Sequence, residues 1–241
     1  MSRYEDALEV LSSGREIISS FEQEYELARS SSKLANMPRV EVKSAVECIR
    51  SALEFTAQDI WHSYTRKEHR VYFPYGKTKV AFDKSVKKNL PALEAQSPNL
   101  YSLVEALQPY ACGDSWLEDL CVVSNFNKHK GLSTQIRKNS LGNAVSLGGM
   151  ISVRNCADVT FNNVWIEDMP LGVHGSLVIS NIPDFPIIGG QLSHGSLMTK
   201  EFDWVEFHID LSDNDVLKLL SKSYVESVRF VESAYALIGK Q

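Results

Sequence analysis

The chain has 241 residues, 44% of them apolar and 10% aromatic, with a formal charge of −5. That apolar content builds a substantial core in one large domain or two small ones, and the acidic balance excludes a protein that coats nucleic acid through its overall field. No run of about 18 apolar residues is present to span a membrane, and acidic residues interrupt MSRYEDALEVLSSGREII where a signal peptide needs an unbroken apolar stretch, so a cytoplasmic protein is expected.

Tyr4, Leu8, Leu11, Ile18, Phe21, Tyr25 and Ala28 recur at helical steps and predict a long first helix, broken by RSSSKLANMP at 29–38. Val42, Val46, Ile49, Leu53, Ala57, Ile60 and Tyr64 form the stripe of a second. Two amphipathic helices joined by a short polar loop make an antiparallel hairpin. The segment 70–81 is aromatic and loop-like around Pro74 and Gly76, and helical patterns return over 84–96 and 99–110. The next helix begins near Trp116 with Asp114 or Ser115 as N-cap, and Gly131 is placed to end it.

Past Gly142 glycines thicken and short β-type runs appear: VSLGGMISV, DVTFNNVWI, HGSLVIS and DWVEFHIDL. In the last, Val205, Phe207, Ile209 and Leu211 alternate with Trp204, Glu206, His208 and Asp210, as a half-buried strand requires. A small antiparallel sheet of four to six strands is expected. Ser212-Asp-Asn-Asp then caps a final helix with the stripe Leu217, Leu220, Tyr224, Val228, Val231, Tyr235 and Ile238, which needs the first-half bundle as its partner. The expected fold is α+β and mainly helical: a bundle over 1–142, a β region over 143–211 and a C-terminal helix over 212–241 returning to the bundle, in one composite domain.

Cys48, Cys112, Cys121 and Cys156 lack CxxC spacing and lie in apolar sequence, so they read as reduced core residues, with no metal site and no cofactor expected. Gly76-Lys77-Thr78 suggests a phosphate-binding loop, but the glycine that motif needs five residues earlier is Val71. HGSL occurs at 174–177 and 194–197; a serine two residues after a histidine cannot generally reach its imidazole, so the echo reads as two similar turns. Between Arg66 and Lys88 stand eight cations against Glu68 and Asp83, interleaved with Tyr72, Phe73, Tyr75 and Phe82. Such a segment can track phosphates and stack on bases, or be a solvated loop and helix face.

The strongest constellation spans two helices. On the second helix Arg50 lies about 40° from Val46 at the border of the apolar stripe, with Glu54 one turn on. On the Trp116 helix the inward arc Trp116, Leu117, Leu120 and Val123 turns polar at Ser124, Asn127 and Lys128, while Asn125 and His129 form an i,i+4 pair on the flank. One reading is a buried network that fixes register, with Asn127 and Lys128 answering Glu54 or Asp59. Another is a polar cleft in which His129 moves a proton and Lys128 or Arg50 stabilises anionic charge. In a third the helix ends early and these residues face water.

IRSALEF (49–55), YFP (72–74), LQPY (107–110) and LxxLxxxSNFNKHK (117–130), in that order, resemble a broad group of uncharacterised bacterial proteins with R-S-x-L-[DE], F-P, Q-P-Y and N-x-[DN]-K-H-[RK] motifs. The layout is similar to the HEPN superfamily of helical bundles, many of them metal-independent endoribonucleases acting across a dimer. Their R-x4-6-H motif is not met here, because no arginine has histidine five to seven residues later. The resemblance implies action on RNA or a nucleotide, a homodimer through helices, and a catalytic set of His129, Lys128, Asn125 and Arg50. Asn127 and Glu54 would then bind the ligand, and the RNA 2′-OH would attack the phosphate.

Overall fold

The computed structural model describes residues 2–30, 36–140, 143–147, 151–154, 158–163, 165–166, 169–170, 177–181, 186–189 and 198–239. The chain forms two compact units, one of Met1–Glu22, Asn36–Ile136 and Phe207–Gln241, the other of Gln23–Ala35 and Arg137–Glu206. The fold is α+β and mainly helical, with the C-terminal helix packed on the other helices. Among the described residues no helix is long and apolar enough to cross a membrane.

Helix α1 (Tyr4–Ser30) and helix α2 (Arg39–Tyr64) are the expected hairpin. In the first unit Arg3 pairs with Asp59 at one end, and a Cβ on Gly14 would lie 3.3 Å from the Cys48 Cβ further along. These two contacts run in opposite directions along the chain, so the helices are antiparallel. The face α1 buries is Ala7, Leu11, Ile18, Phe21, Tyr25 and Ala28; Tyr4 and Leu8 are only half-buried. On α2 the buried positions are the predicted stripe as far as Ile60, joined by Ala45, Ala52 and Trp61 and by the polar Arg50, Thr56 and Asp59.

The stretches expected as two helices are four. Helix α3 (Lys79–Asn89) starts at Thr78, whose Oγ1 accepts a hydrogen bond from the Ala81 amide. Pro91 and the left-handed Ala92 (φ 65°) separate it from α4 (Leu93–Gln96), because proline lacks the amide that would continue the ladder. Likewise α5 (Pro98–Glu105) is cut off from α6 (Pro109–Cys112) by Pro109. Helix α7 (Trp116–His129) opens on Asp114, whose Oδ1 accepts from the Trp116 amide, and Gly131 turns the chain away at φ 137°.

The strands are more numerous and shorter than one sheet of four to six. They are β1 (Gln135–Asn139), β2 (Asn143–Leu147), β3 (Ile151–Arg154), β4 (Asp158–Phe161), β5 (Trp165–Ile166), β6 (Met169–Pro170), β7 (Leu177–Asn181), β8 (Pro186–Gly189), β9 (Met198–Phe202) and β10 (Val205–Ile209). Among the described residues they pair as β1-β10, β3-β2-β9, β4-β7-β8 and β5-β6. β2 pairs antiparallel with both β3 and β9, and β7 with both β4 and β8. VSLGGMISV is thus a hairpin, whereas DVTFNNVWI divides between two sheets. β1 begins before the expected boundary at 143. Residues 174–176 and 194–197, which carry most of the HGSL echo, lie outside the described residues. Within the second unit, Arg29 near the end of α1 binds the Phe202 carbonyl and Glu201 of β9, and Arg137 donates to the Ala28 carbonyl.

In β10 Val205, Phe207 and Ile209 are buried as the alternation requires. The final helix, α8 (Val216–Ile238), is capped by Asp215, whose two oxygens accept from the amides of Phe207 and Lys218. Its buried face differs from the predicted stripe. Val216, Leu219, Phe230 and Ala234 are buried along with Leu220 and Val231, while Leu217, Tyr224, Val228, Tyr235 and Ile238 are only partly so. Ser223 and Ser227, both fully buried, occupy the middle of that face. Small side chains let helix backbones approach, so the helix turns its serines inward where it packs on α2, α5 and α7.

A polar cluster under an extended loop

The four motifs of the sequence meet at one segment, Arg70–Thr78, between α2 and α3. It belongs to no helix or strand, and burial alternates at its start: Val71 and Phe73 are buried, Arg70 and Tyr72 exposed. Its backbone amides are exposed to desolvation there, and each buried donor needs an acceptor. Glu54 supplies one, its Oε2 accepting from the Phe73 amide at 2.6 Å. Gln108, fully buried, supplies another: its Oε1 accepts from the Gly76 amide at 3.0 Å, and its Nε2 donates to the carbonyls of Val104 and Pro74. Glycine is required at 76, since a Cβ there would lie 2.3 Å from the Phe82 amide nitrogen.

Arg50 sits beneath this loop, 8% exposed. One guanidinium nitrogen reaches Glu54 Oε1 at 2.7 Å, another donates to Cys121 Sγ at 2.6 Å, and the group lies 5.3 Å from the centre of the Tyr75 ring. Burial pushes the Cys121 thiol up to about 12, against the pull of Arg50. It is therefore a protonated hydrogen-bond partner at neutral pH and not a nucleophile. Burial likewise raises the Tyr75 hydroxyl pKa, and that hydroxyl accepts from Asn125 Nδ2 at 3.2 Å. Arg50, Glu54 and Asn125 are thus joined through Tyr75 and the loop.

The remaining candidates have other partners. Lys128 pairs with Glu47 at 2.9 Å, and Ser124 donates to the other oxygen of the same carboxylate at 2.8 Å. Asn127 is buried, its Oδ1 accepting from the Ser133 amide at 2.9 Å, so it fastens the chain after α7; its Nδ2 has no partner among the described residues. His129 is exposed at the end of α7, with no hydrogen bond or ion pair among the described residues. The expected pairing of Asn127 and Lys128 with Glu54 or Asp59 is not what forms. Glu54 is committed to Arg50 and the Phe73 amide, and Asp59 accepts from Arg3 and Tyr235. Glu47, nearly two turns before Glu54 on α2, is the carboxylate that faces Ser124 and Lys128.

Glu47, Tyr75, Gln108 and Cys121 were not singled out from sequence. The signal for Gln108 and Gly76 was the pair LQPY and YFPYGK, a buried-type amide and a glycine in loop sequence. Nothing local marks Glu47.

The cations of 66–88 divide into two groups. Lys77 lies 3.6 Å from Glu118, and Lys79 pairs with Asp83 and Glu105 and contacts the Tyr101 hydroxyl. Arg66, Lys67, Arg70, Lys84, Lys87 and Lys88 are exposed and form no ion pair among the described residues. His69 joins the two segments that carry them: its Nε2 lies 2.9 Å from the Lys88 carbonyl, bringing the loop after α2 to the last turn of α3, and its ring lies 5.1 Å from that of Trp61. Trp61 in turn donates from Nε1 to the Lys67 carbonyl. Among the described residues no group of three or more His, Cys, Asp or Glu side chains could hold a metal ion. No family model, curated protein or solved structure matches this chain.

Proposed function

We propose that this is a cytoplasmic, HEPN-like bacterial protein that binds RNA or nucleotides through the basic surface of residues 66–88. One observation carries the reading: six exposed cations that form no ion pair among the described residues lie on two segments, the loop after α2 and helix α3, which meet where His69 reaches the Lys88 carbonyl. Unpaired lysines and arginines are the residues from which phosphates displace counterions. Lys87 and Lys88 also stand in the last turn of α3, where the helix dipole stabilises cations in place. The cluster of Arg50, Glu54, Gln108 and Tyr75 serves this surface by holding the loop above it.

The test is binding of a short labelled single-stranded RNA measured across salt concentrations. The variant Lys84→Glu/Lys87→Glu/Lys88→Glu should bind at least about tenfold more weakly, with a log–log salt slope shallower by roughly two, from about 0.7 per phosphate contact on single strands. Unchanged affinity and slope would defeat the reading.

A second reading, metal-independent ribonuclease action, rests on His129, which is open to a substrate beside Lys128 at the same helix end. There the RNA 2′-OH would attack the adjacent phosphorus and the 5′-oxygen would leave, giving a 2′,3′-cyclic phosphate and a free 5′-OH, with His129 carrying the proton from the 2′-OH to the leaving oxygen. Against it stands the burial of Arg50, the arginine that this reading assigns to the phosphorane. In the non-catalytic alternative, an interaction or scaffold protein, Asn127 and Lys128 serve only the contacts to Ser133 and Glu47. Dimerisation through the helices, which the HEPN likeness implies, is measured by light scattering in solution.

A further inference from the structure

We infer that the ligand of this surface is single-stranded and that Tyr72 is the residue on which one of its bases stacks; the inference rests on the RNA-binding reading above. Tyr72 is 43% exposed, between the buried Val71 and Phe73. The alternation in burial from Arg70 to Phe73 leaves it outside. It also puts Arg70, two residues earlier, on the same side, and the Arg70 guanidinium lies 5.1 Å from the centre of the Tyr72 ring.

The ring is presented by a rigid support. The next amide, of Phe73, is held by Glu54 at 2.6 Å, and the Phe73 ring packs edge-on against Phe230 at 5.3 Å. Gln108 fixes the Pro74 carbonyl and the Gly76 amide beyond it. A side chain held this way loses little freedom when a ligand arrives. With Arg70 over one face of the ring and no second aromatic ring against it among the described residues, Tyr72 offers its other face within the cation-rich segment 66–88. Phosphate tracking needs only the cations. An exposed ring adds affinity only if the base faces are free, and in a duplex they are hidden in the stack. The combination therefore selects a single strand, with Arg70 ordering the ring and carrying a phosphate.

The experiment compares a fluorescein-labelled RNA of about a dozen nucleotides, within the usual footprint of such surfaces, with the same RNA annealed to its complement. Tyr72→Ala should weaken single-strand binding by roughly 5- to 100-fold, the usual range for one stacked base, and leave duplex binding and the salt slope unchanged. Tyr72→Phe, which keeps the ring, should restore the single-strand affinity. Melting curves establish that each variant is folded. If Tyr72→Ala has no effect, or weakens both RNAs equally, while the triple charge variant still weakens binding, the stacking role is wrong and the basic surface stands. If the triple charge variant changes neither RNA, or the wild-type protein binds neither, the binding reading fails and the inference with it.

Discussion

Glu54 shows how one carboxylate can couple a helix to a loop. It accepts from the Phe73 amide and pairs with Arg50, both away from bulk water. Truncating it leaves a buried amide and a buried guanidinium without their acceptor, the costly side of the hydrogen-bond asymmetry. Glu54→Ala should lose about 2–4 kcal/mol and melt roughly 5–15 °C lower, while Glu54→Gln, which keeps an acceptor for the amide, should lose less; thermal melts of both variants check this. His129 is the opposite case. Its ring is exposed and has no hydrogen bond or ion pair among the described residues, so His129→Ala should stay within about 0.5 kcal/mol of the parent. If the ribonuclease reading holds, the same variant loses RNA cleavage that in the wild type persists in a chelator; a variant that melts well below the parent would show that the histidine is structural.

At the scale of elements, Asp59 joins three helix ends. It accepts from the Arg3 amide and guanidinium, each at 2.6 Å, and from the Tyr235 hydroxyl at 2.8 Å, so the start of α1, the last turns of α2 and the end of α8 share one 7%-exposed residue. The Tyr4 and Tyr235 rings, 4.8 Å apart, close over it. Burial, then the neighbouring Asp59, raise the Tyr235 pKa, so the hydroxyl stays a donor across the neutral range. Asp59→Ala should cost about 2–4 kcal/mol, and hydrogen exchange should quicken first in α1 and at the end of α8; unchanged protection there would mean that packing alone holds the ends.

For the whole molecule, the charge distribution matters more than its sum. A net charge of −5 repels a polyanion at long range, yet at physiological salt fields fade within about 8 Å, and the unpaired cations of 66–88 act at contact. If the RNA-binding reading holds, affinity should fall steeply with salt, as the salt titration of the labelled RNA would measure. The charge variant reports on that surface without disturbing the core, because all three lysines are exposed.

The hairpin of α1 and α2, the mainly helical α+β class, the extent of α7 and the burial pattern of β10 were all legible in the sequence, because each depends on periodicity and local capping within one segment. The helix breaks at Pro91 and Pro109 were equally local but had been read through, since apolar spacing continues across them. The inward face of α8 was not legible. Ser223 and Ser227 score as polar, and only their close packing against neighbouring helices makes them core. The same holds for the site. Sequence order brought forward Arg50, Glu54, Asn125, Asn127, Lys128 and His129 as one constellation, but partner choice between helices depends on a side chain's angle and reach, which periodicity does not carry. The tertiary structure assigned Glu54 to the Phe73 amide, Lys128 to Glu47 and Arg50 to Cys121 and Tyr75. Arg50 and Glu54 thereby support the loop at 70–78, because buried donors take the acceptors that the packed helices bring within about 3 Å, whatever their separation along the chain.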